Sequence, residues 1–376
     1  MPPRVIDLRQ ADDTRDVVHL AVQALSEGRI ISIPTETVYV LAGSGLHEKA
    51  AVKLRAMSGV DPAEPLTIAV KSADEALDYI PRLGPLGQRL ARRCWPGPIT
   101  LIVDDHHPDG LLRQLPPHAQ TAVSGNGTLA LRVPAHPLVQ DIMRLTTGPV
   151  VMARAGTQTV PCVTAQEVIE RHGPELQLIV DDGRSRFGQP ASAVRVFDDK
   201  FEVVRCGVVS EQTLKRLSCY MVLFVCTGNT CRSPMAEGLF RNLLAQRVGC
   251  GVDKLEDHGH IVMSAGIAAM MGGRASPEAV TILGERKIDL SLHESQPLTD
   301  NLVRNADLIL AMTRSHKHAI LSEWPEAARR VHLLSRSGGD VADPIGGPLE
   351  GYRRCAAQIE GELTVWIDQV LKGSSS

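Results

Sequence analysis

The sequence lacks several features that mark specialised classes of protein. No apolar run approaches the roughly 18 uninterrupted residues that a membrane-spanning helix requires, so we expect no membrane association. The opening residues, MPPRVIDLRQADD, contain no apolar segment of the kind found in secretory signals. The eight cysteines form no CxxC pair and no Cys/His spacing typical of a zinc site. We therefore expect a cytoplasmic chain with reduced thiols and no metal site.

The chain also lacks a strong excess of either charge. Its 40 Lys and Arg residues and 43 Asp and Glu residues give a formal net charge of -3, so bulk electrostatics give no reason to expect nucleic-acid binding. Hydrophobic residues make up 43% of the chain and charged residues 22%, which is typical of a folded globular protein. At 376 residues the chain is too long for one ordinary core, which predicts two domains.

The best domain boundary lies near residues 210–220. There SEQTLKRL predicts a short amphipathic helix, and Met221 opens the strand VLFV. Residues 1–217 mix strand-like runs such as LTIAV with helical stretches such as EKAAVKLRAM, which indicates an α/β domain around a large sheet. Residues 221–376 alternate strand and helix regularly and end in a helix from about 349 to 371. This alternation predicts a small four-stranded parallel sheet with helices on both faces.

The most informative segment is VLFVCTGNTCRSPMAEGLF, residues 222–240. A hydrophobic strand ends at Cys226, a loop follows, and Ser233 with the next proline predicts a helix start. The amides and dipole of a helix N-terminus favour an anion, and the guanidinium of Arg232 can hold two phosphate oxygens. These features favour a thiolate at Cys226, which would be the nucleophile toward a bound phosphoryl group. Residues 226–233 are named the phosphate loop below.

The plainer alternative is that Cys226 is a buried structural cysteine beside a surface arginine. Of the eight cysteines, only Cys226 has an arginine six positions later, and only Cys226 combines this spacing with a preceding strand and a following helix start. The combination favours a cysteine-dependent phosphatase.

CTGNTCRSP resembles the active-site loop of the low-molecular-weight protein-tyrosine phosphatase family, and the likeness covers residues 221–372. Ser264-Ala265-Gly266 matches a Ser-Ala-Gly of that family, and Asp343-Pro344 matches its late Asp-Pro. The resemblance implies that Cys226 forms a phosphocysteine and that Arg232 clamps the phosphoryl oxygens. It further implies that Asp343 is the general acid and then the base, although an acidic turn residue before proline is the alternative.

The resemblance also implies supporting roles within the phosphate loop and no cofactor for the phosphatase. The residues expected to bind phosphate or support the loop are Thr227, Gly228, Asn229, Thr230, Cys231 and Ser233. Ser233 would hydrogen-bond the thiolate, and Asn229 would brace the loop. Cys231 would protect the nucleophile through a reversible disulfide, with a passive thiol as the alternative.

Two positions bear on the leaving group of the substrate. Thr230 stands where tyrosine-specific members carry a bulky aliphatic residue, and Ile345-Gly346 stand where they have aromatics. The pattern TGNTCRSPMAE with DP-x-GG resembles the bacterial protein-arginine phosphatases, although those tend to have Phe at the position of Ile345. We therefore expect a protein carrying phosphoarginine as the substrate, with phosphotyrosine as the alternative.

Residues 1–217 resemble a second family, the YrdC-like threonylcarbamoyl-AMP synthases, through ISIPTETVYVLAG, CWPGPITLIV, LRVP and IVDDG. Those enzymes join threonine, bicarbonate and ATP into the precursor of a tRNA modification. The resemblance implies that Thr35 contacts substrate, that Arg132 lines the nucleotide cleft and that Ser192 belongs to the ligand site. It implies ATP with Mg²⁺ as the cofactor, and a nucleotide, threonine or RNA as the partner of this domain.

The departures from that family are concentrated at charged positions. Ser58-Gly59-Val60 stands where the family has Lys-x-Arg, and Glu64 replaces a polar residue. Arg154 replaces the serine of a Ser-Ala-Asn, and Arg195 stands in a segment that is otherwise Ser-Thr-Val-Val-Asp. ATP chemistry depends on cations around the phosphates, so we expect a non-catalytic binding domain with Arg154 and Arg195 as new cations. The alternative is a bifunctional or primarily threonylcarbamoyl-AMP-forming enzyme with an appended phosphatase.

For three further residues the sequence predicts only whether the side chain is buried or exposed. Glu36 in PTETVY is either a pocket acid or a solvated side chain. His316 and His318 are predicted to be surface residues at the start of a helix.

Overall fold

The structure is a computed structural model that describes residues 2–61, 63–105, 107–157 and 159–373. The chain divides into two compact units, Met1–Leu214 and Lys215–Ser376, which are considered separately. Within the described residues, every helix is too short or too polar to cross a membrane.

The first unit is built on a mixed sheet of ten strands among its described residues. These strands are β1 (Arg4–Asp7), β2 (Ile31–Ile33), β3 (Val40–Ser44), β4 (Thr67–Ala69), β5 (Ile99–Asp104), β6 (Thr128–Arg132), β7 (Val150–Arg154), β8 (Leu178–Asp181), β9 (Ser192–Phe197) and β10 (Lys200–Arg205). Their order in the sheet is β1-β8-β2-β3-β7-β4-β6-β5-β9-β10. This arrangement confirms the predicted α/β domain around a large sheet.

Most helices of the first unit lie between two of its strands along the chain. They are α1 (Thr14–Ser26), α2 (Glu48–Ser58), α3 (Ala73–Tyr79), α4 (Pro85–Cys94), α5 (Pro117–Val123), α6 (Pro137–Leu145), α7 (Ala165–His172) and α8 (Glu211–Ser218), which crosses the boundary between the units. Helices α1 and α6 pack against the sheet through buried aliphatic residues such as Val18, Leu25 and Ile142. Removing such apolar area from water is the main force that holds the layers together.

The second unit has a four-stranded parallel sheet, in the order β12-β11-β13-β14. Its strands are β11 (Tyr220–Cys226), β12 (His260–Gly266), β13 (Leu308–Ala311) and β14 (Val331–Leu333). Its helices are α9 (Arg232–Val248), α10 (Pro277–Gly284), α11 (Asp300–Asn305), α12 (Arg314–Glu323) and α13 (Leu349–Gly373). Both the sheet and the final helix were predicted from the alternation of the sequence.

The central position of β11 in the sheet explains why its sequence is a continuous apolar run. Val222, Phe224 and Cys226 point into a core formed with α9, α10 and α13. Leu223 and Val225 point into a second core on the opposite face, formed with α11 and α12. A central parallel strand covered on both faces has no solvent-facing positions, so its side chains alternate between two cores. This alternation places the side chain of Cys226 on the face of the sheet that carries α9.

Candidate active site

The phosphate loop begins at the carboxyl edge of the central strand. Cys226 is the last residue of β11, and it is only 2% exposed. The loop then leads directly into α9. The carboxyl edge of a parallel sheet, next to a helix N-terminus, is where anionic ligands bind in α/β proteins.

The start of α9 differs from the sequence prediction. The helix begins at Arg232, with Cys231 at the N-cap and no side-chain capping bond, so the predicted start, with Ser233 at the N-cap and Pro234 as the first helical residue, is wrong by two residues. The hydroxyl of Ser233 lies 2.9 Å from Cys226 Sγ instead. Because no side chain caps α9, its first amides remain available to a bound anion.

Asn229 stabilises the phosphate loop through hydrogen bonds of its backbone amide and its side chain. Its backbone is left-handed, with φ of 54°, and its amide donates to Cys226 Sγ at 3.2 Å. The side-chain Nδ2 donates to Ser233 Oγ at 3.0 Å and to Ser264 Oγ at 2.9 Å. These bonds connect Cys226 to β12, and Asn is among the few residues that tolerate left-handed backbone at low cost.

Two outer contacts complete this network. His293 Nε2 lies 2.8 Å from the carbonyl oxygen of Asn229, and Ser264 Oγ donates to Glu237 Oε2 at 2.6 Å. Sequence analysis assigned no role to either residue: Glu237 ends the quoted pattern TGNTCRSPMAE, and His293 lies outside every motif. Buried polar networks of this kind restrict the loop to one conformation when every member is paired.

Gly266 explains the Ser-Ala-Gly pattern at the end of β12. A Cβ atom at this position would lie 2.5 Å from the carbonyl oxygen of Thr227. The residues after Gly266 bind the loop through their backbone, because the amides of Ile267 and Ala268 donate to the carbonyls of Cys226 and Thr227 at 3.0 and 2.9 Å. Only glycine permits this close approach of two backbone segments.

Arg232 and Asp343 meet beside the loop. Arg232 is 5% exposed, and its Nη2 is 2.5 Å from Asp343 Oδ2, while Nη1 donates to the carbonyl of Val341 at 3.3 Å. The Asp343 side chain is 43% exposed. The tertiary structure therefore brings together two residues that are 111 positions apart, with the carboxylate reachable from solvent.

His316 occupies a different place from the one predicted. It is buried, not a surface residue, whereas His318 is exposed as expected. Its Nε2 lies 2.8 Å from Thr227 Oγ1, and its Nδ1 lies 2.9 Å from Thr313 Oγ1. Burial, followed by the nearby Arg232 charge, lowers the pKa of His316 below its ordinary value, so the neutral imidazole is favoured.

The sequence contained a signal for His316. It lies three residues after Thr313, which follows β13 and caps α12. Because the carboxyl ends of parallel strands share one edge of the sheet, the first turn after β13 lies near the first turn after β11.

Cys231 contacts two hydroxyl groups that lie outside the phosphate loop. Its Sγ lies 3.4 Å from Ser276 Oγ and 3.5 Å from the hydroxyl of Tyr352. Burial, and then the contact with Cys231, raises the pKa of Tyr352 to about 12. Cys226 and Cys231 are both free thiols in this structure, so the disulfide stays a prediction.

The remaining loop residues are at least partly exposed, and so is the residue expected to lie beside the leaving group of the substrate. Gly228 and Thr230 are half-buried or exposed members of the loop, and the Thr230 carbonyl accepts from the amide of Ser276 at 2.9 Å. Ile345 is 66% exposed, and its amide donates to Asp343 Oδ1 at 3.2 Å. Ile345 therefore stands directly beside the carboxylate that would meet a leaving group.

In the first unit, the two most specific motifs meet at Arg132. Arg132 Nη2 lies 2.6 Å from Glu36 Oε1 and 3.1 Å from Thr37 Oγ1, and its Nε donates to the carbonyl of Gly97 at 3.0 Å. Glu36 is 8% exposed, so it is a buried acid and not a solvated side chain. A buried ion pair therefore joins Glu36 of PTET to Arg132, and a hydrogen bond joins Arg132 to Gly97 of WPGP.

The hydroxyl groups of Thr35 and Ser192 both form hydrogen bonds with nearby backbone groups. Thr35 Oγ1 donates to the carbonyl of Val38 at 2.6 Å and accepts from the Val38 amide. Ser192 Oγ donates to the carbonyl of Val209 at 2.7 Å and accepts from the amides of Gly207 and Val209. Both side chains are almost fully buried, so their expected ligand contacts stay predictions.

The two arginines that were expected to supply new cations differ in position. Arg195 lies at the surface and pairs with Asp104 at 3.2 Å, so the expectation is wrong for Arg195, because its side chain is on the solvent side of β9. Arg154 lines a small cavity together with Arg132, Arg205, Thr67 and Thr100.

Among the described residues, there is no cluster of three or more His, Cys, Asp or Glu side chains that could hold a metal ion.

Comparison with known proteins finds similarity to two families, one in each part of the chain. A family model described as Low molecular weight phosphotyrosine protein phosphatase matches residues 221–375. A model of the Sua5, YciO and YrdC group, described as Telomere recombination, matches residues 23–207.

The individual proteins that are similar to this chain also match either its first or its second part. A protein-arginine-phosphatase of Bacillus subtilis is 43% identical over 155 residues, which cover 40% of this chain and 97% of the relative. A probable low molecular weight protein-tyrosine-phosphatase, EpsP of Ralstonia nicotianae, is 36% identical over 40% of this chain and 94% of its own length. A threonylcarbamoyl-AMP synthase of Pyrococcus abyssi is 28% identical over 47% of this chain, which spans only 50% of that protein.

Proposed function

Through residues 221–375 the chain belongs to the low molecular weight phosphotyrosine protein phosphatase family, and on this premise we propose that it hydrolyses phosphoarginine on proteins through a phosphocysteine at Cys226. The chain is a phosphatase, and therefore a hydrolase. The observation that carries the proposal is the position of Cys226 Sγ, which lies within hydrogen-bonding distance of the Asn229 amide and the Ser233 hydroxyl at the start of α9.

In the first step, the Cys226 thiolate attacks the phosphorus atom and forms an S–P bond. The P–N bond to the arginine side chain breaks, and its electron pair stays with the leaving nitrogen. Asp343 gives its proton to that nitrogen, so that the leaving group departs as a stable guanidinium. Proton transfer to a poor leaving group is worth roughly 10²–10⁴ in rate.

In the second step, the Asp343 carboxylate takes a proton from water. The water oxygen attacks phosphorus, the S–P bond breaks, and the thiolate is restored as inorganic phosphate leaves. Covalent catalysis of this kind divides one difficult displacement into two easier ones.

Arg232 and the loop amides stabilise the negative charge of the phosphoryl group in this mechanism. The phosphoryl group develops charge on its three equatorial oxygens, and fixed N–H donors stabilise that charge. Arg232 is held by Asp343 and by the carbonyl of Val341, so its guanidinium is already oriented before substrate binds. The Asn229 amide donates to Cys226 Sγ, and the Ser233 hydroxyl lies 2.9 Å from the same sulfur, so both groups can donate to the attacking sulfur of the proposed mechanism.

Phosphoarginine is favoured over phosphotyrosine by three features. The protein-arginine-phosphatase of Bacillus subtilis has the higher identity of the two phosphatases compared, 43% against 36%. Thr230 is small and polar, and Gly346 stands where tyrosine-specific members have an aromatic residue. Phosphotyrosine is the second candidate, because the exposed Ile345 side chain offers an apolar surface to a phenol ring.

We expect Thr230→Ile to shift preference toward phosphotyrosine by about tenfold, measured as the ratio of kcat/KM for paired phosphotyrosine and phosphoarginine peptides. The added methyl groups favour an apolar ring and remove a hydroxyl near the polar leaving group, and such pocket changes are worth about 1–3 kcal/mol. Thr281→Ile, at an exposed position of α10, is the matched control and should leave the ratio unchanged. An unchanged ratio in Thr230→Ile would reject the role of Thr230 in selectivity.

We further propose that the first unit is a binding domain without synthase activity. ATP with Mg²⁺ does not fit its residues well, because Ser58-Gly59-Val60 provides no cation for a triphosphate and the buried acid Glu36 is already engaged by Arg132 and by the Ala135 amide. A nucleotide, threonine or RNA is a partner that the similarity to threonylcarbamoyl-AMP synthase suggests for this domain.

The full chain carrying Cys226→Ser, incubated with ATP, bicarbonate and threonine, should form no threonylcarbamoyl-AMP above a reaction without threonine. The cations that would stabilise the phosphate charge are absent, and the substitution removes any interfering phosphatase activity. Chromatography of the adenylate measures the product, and the Pyrococcus abyssi synthase serves as the positive control. Threonine-dependent product would show that the domain is a working synthase.

A further inference from the structure

Thr227 is an exposed residue of the phosphate loop, next to the buried Cys226. Its carbonyl accepts from the amide of Ala268, which follows β12. Its hydroxyl lies 2.8 Å from Nε2 of His316 on α12, which follows β13 on the opposite side of β11. Thr227 therefore presents to the site a hydroxyl group that is held by a buried histidine.

The imidazole of His316 has a second hydrogen-bonding neighbour in Thr313. Nδ1 lies 2.9 Å from Thr313 Oγ1, which also accepts from the backbone amide of His316 at 3.2 Å. Ser315 Oγ lies 2.8 Å from the same Thr313 oxygen. Thr313 can accept Nδ1–H while it donates its own proton to Ser315, and this arrangement leaves Nε2 as the acceptor for the Thr227 hydroxyl.

The surroundings of His316 favour the neutral ring that this arrangement requires. The charged groups that face it are Arg232 of α9 and Asp340 and Asp343 of the segment before α13. Burial, followed by the Arg232 charge, lowers the pKa of His316, and the two carboxylates oppose the shift. A neutral imidazole has one acceptor nitrogen, whereas the protonated ring has none.

The Thr227 hydroxyl lies on the same side of the site as Asp343. His316 contacts Thr227 and is close enough to Arg232 and Asp343 for their charges to affect its pKa. Arg232 is itself hydrogen-bonded to Asp343, which is the acid that meets the leaving group in the proposed mechanism. A leaving group that reaches Asp343 therefore comes close to the Thr227 hydroxyl.

We propose that Thr227 recognises the guanidinium leaving group as a hydrogen-bond acceptor, and that His316 is the positioning residue that orients its hydroxyl. The Thr227 proton points to His316 Nε2, so that the lone pairs of Oγ1 face the substrate. A guanidinium group carries only donors and pairs with these lone pairs, whereas the ring of phosphotyrosine offers no N–H group. This inference rests on the proposed phosphatase function and identifies a selectivity determinant for that activity.

Protonation of His316 reverses the direction of this hydrogen bond. Nε2–H then donates to Thr227, whose own proton turns toward the substrate and opposes the N–H groups of a guanidinium. Because the pKa of His316 is lowered, the neutral acceptor is present above that lowered pKa and is lost as the pH falls through it. The preference for phosphoarginine should therefore decrease in acid.

The test is the ratio of kcat/KM for phosphoarginine and phosphotyrosine peptides of identical flanking sequence, measured first in mildly alkaline buffer. Thr227→Val keeps the shape of the side chain and removes its hydroxyl. The ratio should fall by about tenfold or more, as expected when a hydrogen bond to a charged group is lost, and the loss should lie in the phosphoarginine reaction. Thr227→Ser keeps the acceptor and should retain the parent ratio.

Variants of His316 test its positioning role. His316→Gln keeps an acceptor oxygen near the place of Nε2, so it should retain most of the parent ratio, whereas His316→Leu should lower the ratio as Thr227→Val does. Because the two residues act as one unit, the double variant Thr227→Val/His316→Leu should be no less selective than either single variant. His318→Leu, at an exposed position of the same helix, is the matched control and should leave the ratio unchanged.

The pH dependence separates positioning from a merely structural role. The parent ratio should fall between about pH 8 and about pH 5, after subtraction of the uncatalysed hydrolysis of phosphoarginine. Glutamine does not titrate, so the ratio for His316→Gln reports only the ionisation of the two substrates. Nitrogen NMR of the full chain labelled at histidine gives a readout independent of activity, in which His316 Nε2 should be an unprotonated acceptor at neutral pH.

The proposal is overturned if Thr227→Val leaves the ratio unchanged, if the parent ratio follows the same pH course as that of His316→Gln, or if Nε2 carries the proton of the neutral ring. Equal losses on both peptides in His316→Leu and His316→Gln would show that the histidine is only structural. A parent chain that releases no phosphate from phosphoarginine refutes the proposed function and this inference with it. An active parent whose ratio is unchanged in every variant refutes this inference alone.

Discussion

Replacing Cys226 by serine will lower kcat/KM for phosphoarginine and phosphotyrosine peptides by about 10⁴-fold or more, as is typical when a covalent nucleophile is removed. The serine hydroxyl fits the same space beside Ser233 and Asn229, but it stays protonated where the thiol can ionise. Release of inorganic phosphate from the two peptides measures the loss. Substrate affinity should be largely retained, because Arg232 and the loop amides remain in place.

Cys250→Ser is the matched control, since Cys250 is a half-buried free cysteine of the same unit and lies outside the phosphate loop. Its activity should equal that of the parent. Quenching a reaction of ³²P-labelled substrate should trap a phosphoprotein with the parent chain and none with Cys226→Ala. If Cys226→Ser retained activity within tenfold of the parent, Cys226 would not be the nucleophile.

Asp343→Asn will lower kcat by about 10²–10⁴-fold on phosphoarginine peptides, the range typical of general acid–base catalysis. Asparagine can still accept a hydrogen bond from Arg232, so the guanidinium stays in position, but asparagine can neither give nor take the proton. The loss should depend on the leaving group. It should be smaller with p-nitrophenyl phosphate, whose phenolate leaves without a proton, than with a peptide substrate.

Asp368→Asn controls for the general effect of removing a carboxylate. Asp368 lies on α13 and pairs with Arg247 at the surface, and exposed ion pairs contribute about 0–1 kcal/mol. Its activity should be unchanged on every substrate. An equal loss for Asp343→Asn on good and poor leaving groups would refute the acid role and leave Asp343 as a residue that positions Arg232.

Much of the second unit follows from local sequence. The apolar run at residues 222–226, the loop and the helix after it are adjacent in the chain, so their spacing alone predicts a strand, an anion site and a helix. The start of α9 at Arg232 differs from the prediction because Ser233 hydrogen-bonds with Cys226. A capping preference is worth about 1 kcal/mol, which is small enough for one buried contact with the nucleophile to replace it.

Residues that act across long sequence distances were harder to assign. His316 was predicted at the surface because histidine near a helix start is commonly exposed, yet the fold buries it against Thr227, 89 residues away. Arg195 was predicted to serve the ligand site, but its place on β9 turns it toward Asp104. In both cases the direction of a side chain depended on which layer covered its strand or helix.

By itself, the sequence determined the large sheet of the first unit, the four-stranded parallel sheet of the second unit and the likeness of residues 221–372 to the phosphatase family. These properties depend on hydrophobic period, local spacing and residue type, which are all carried by neighbouring positions. The tertiary structure alone decided that Asp343 contacts Arg232 and that Glu36 forms a buried ion pair with Arg132. The physical reason is that the free energy of a buried charge depends on its partners in space, and distant segments supply those partners only when the sheet has formed.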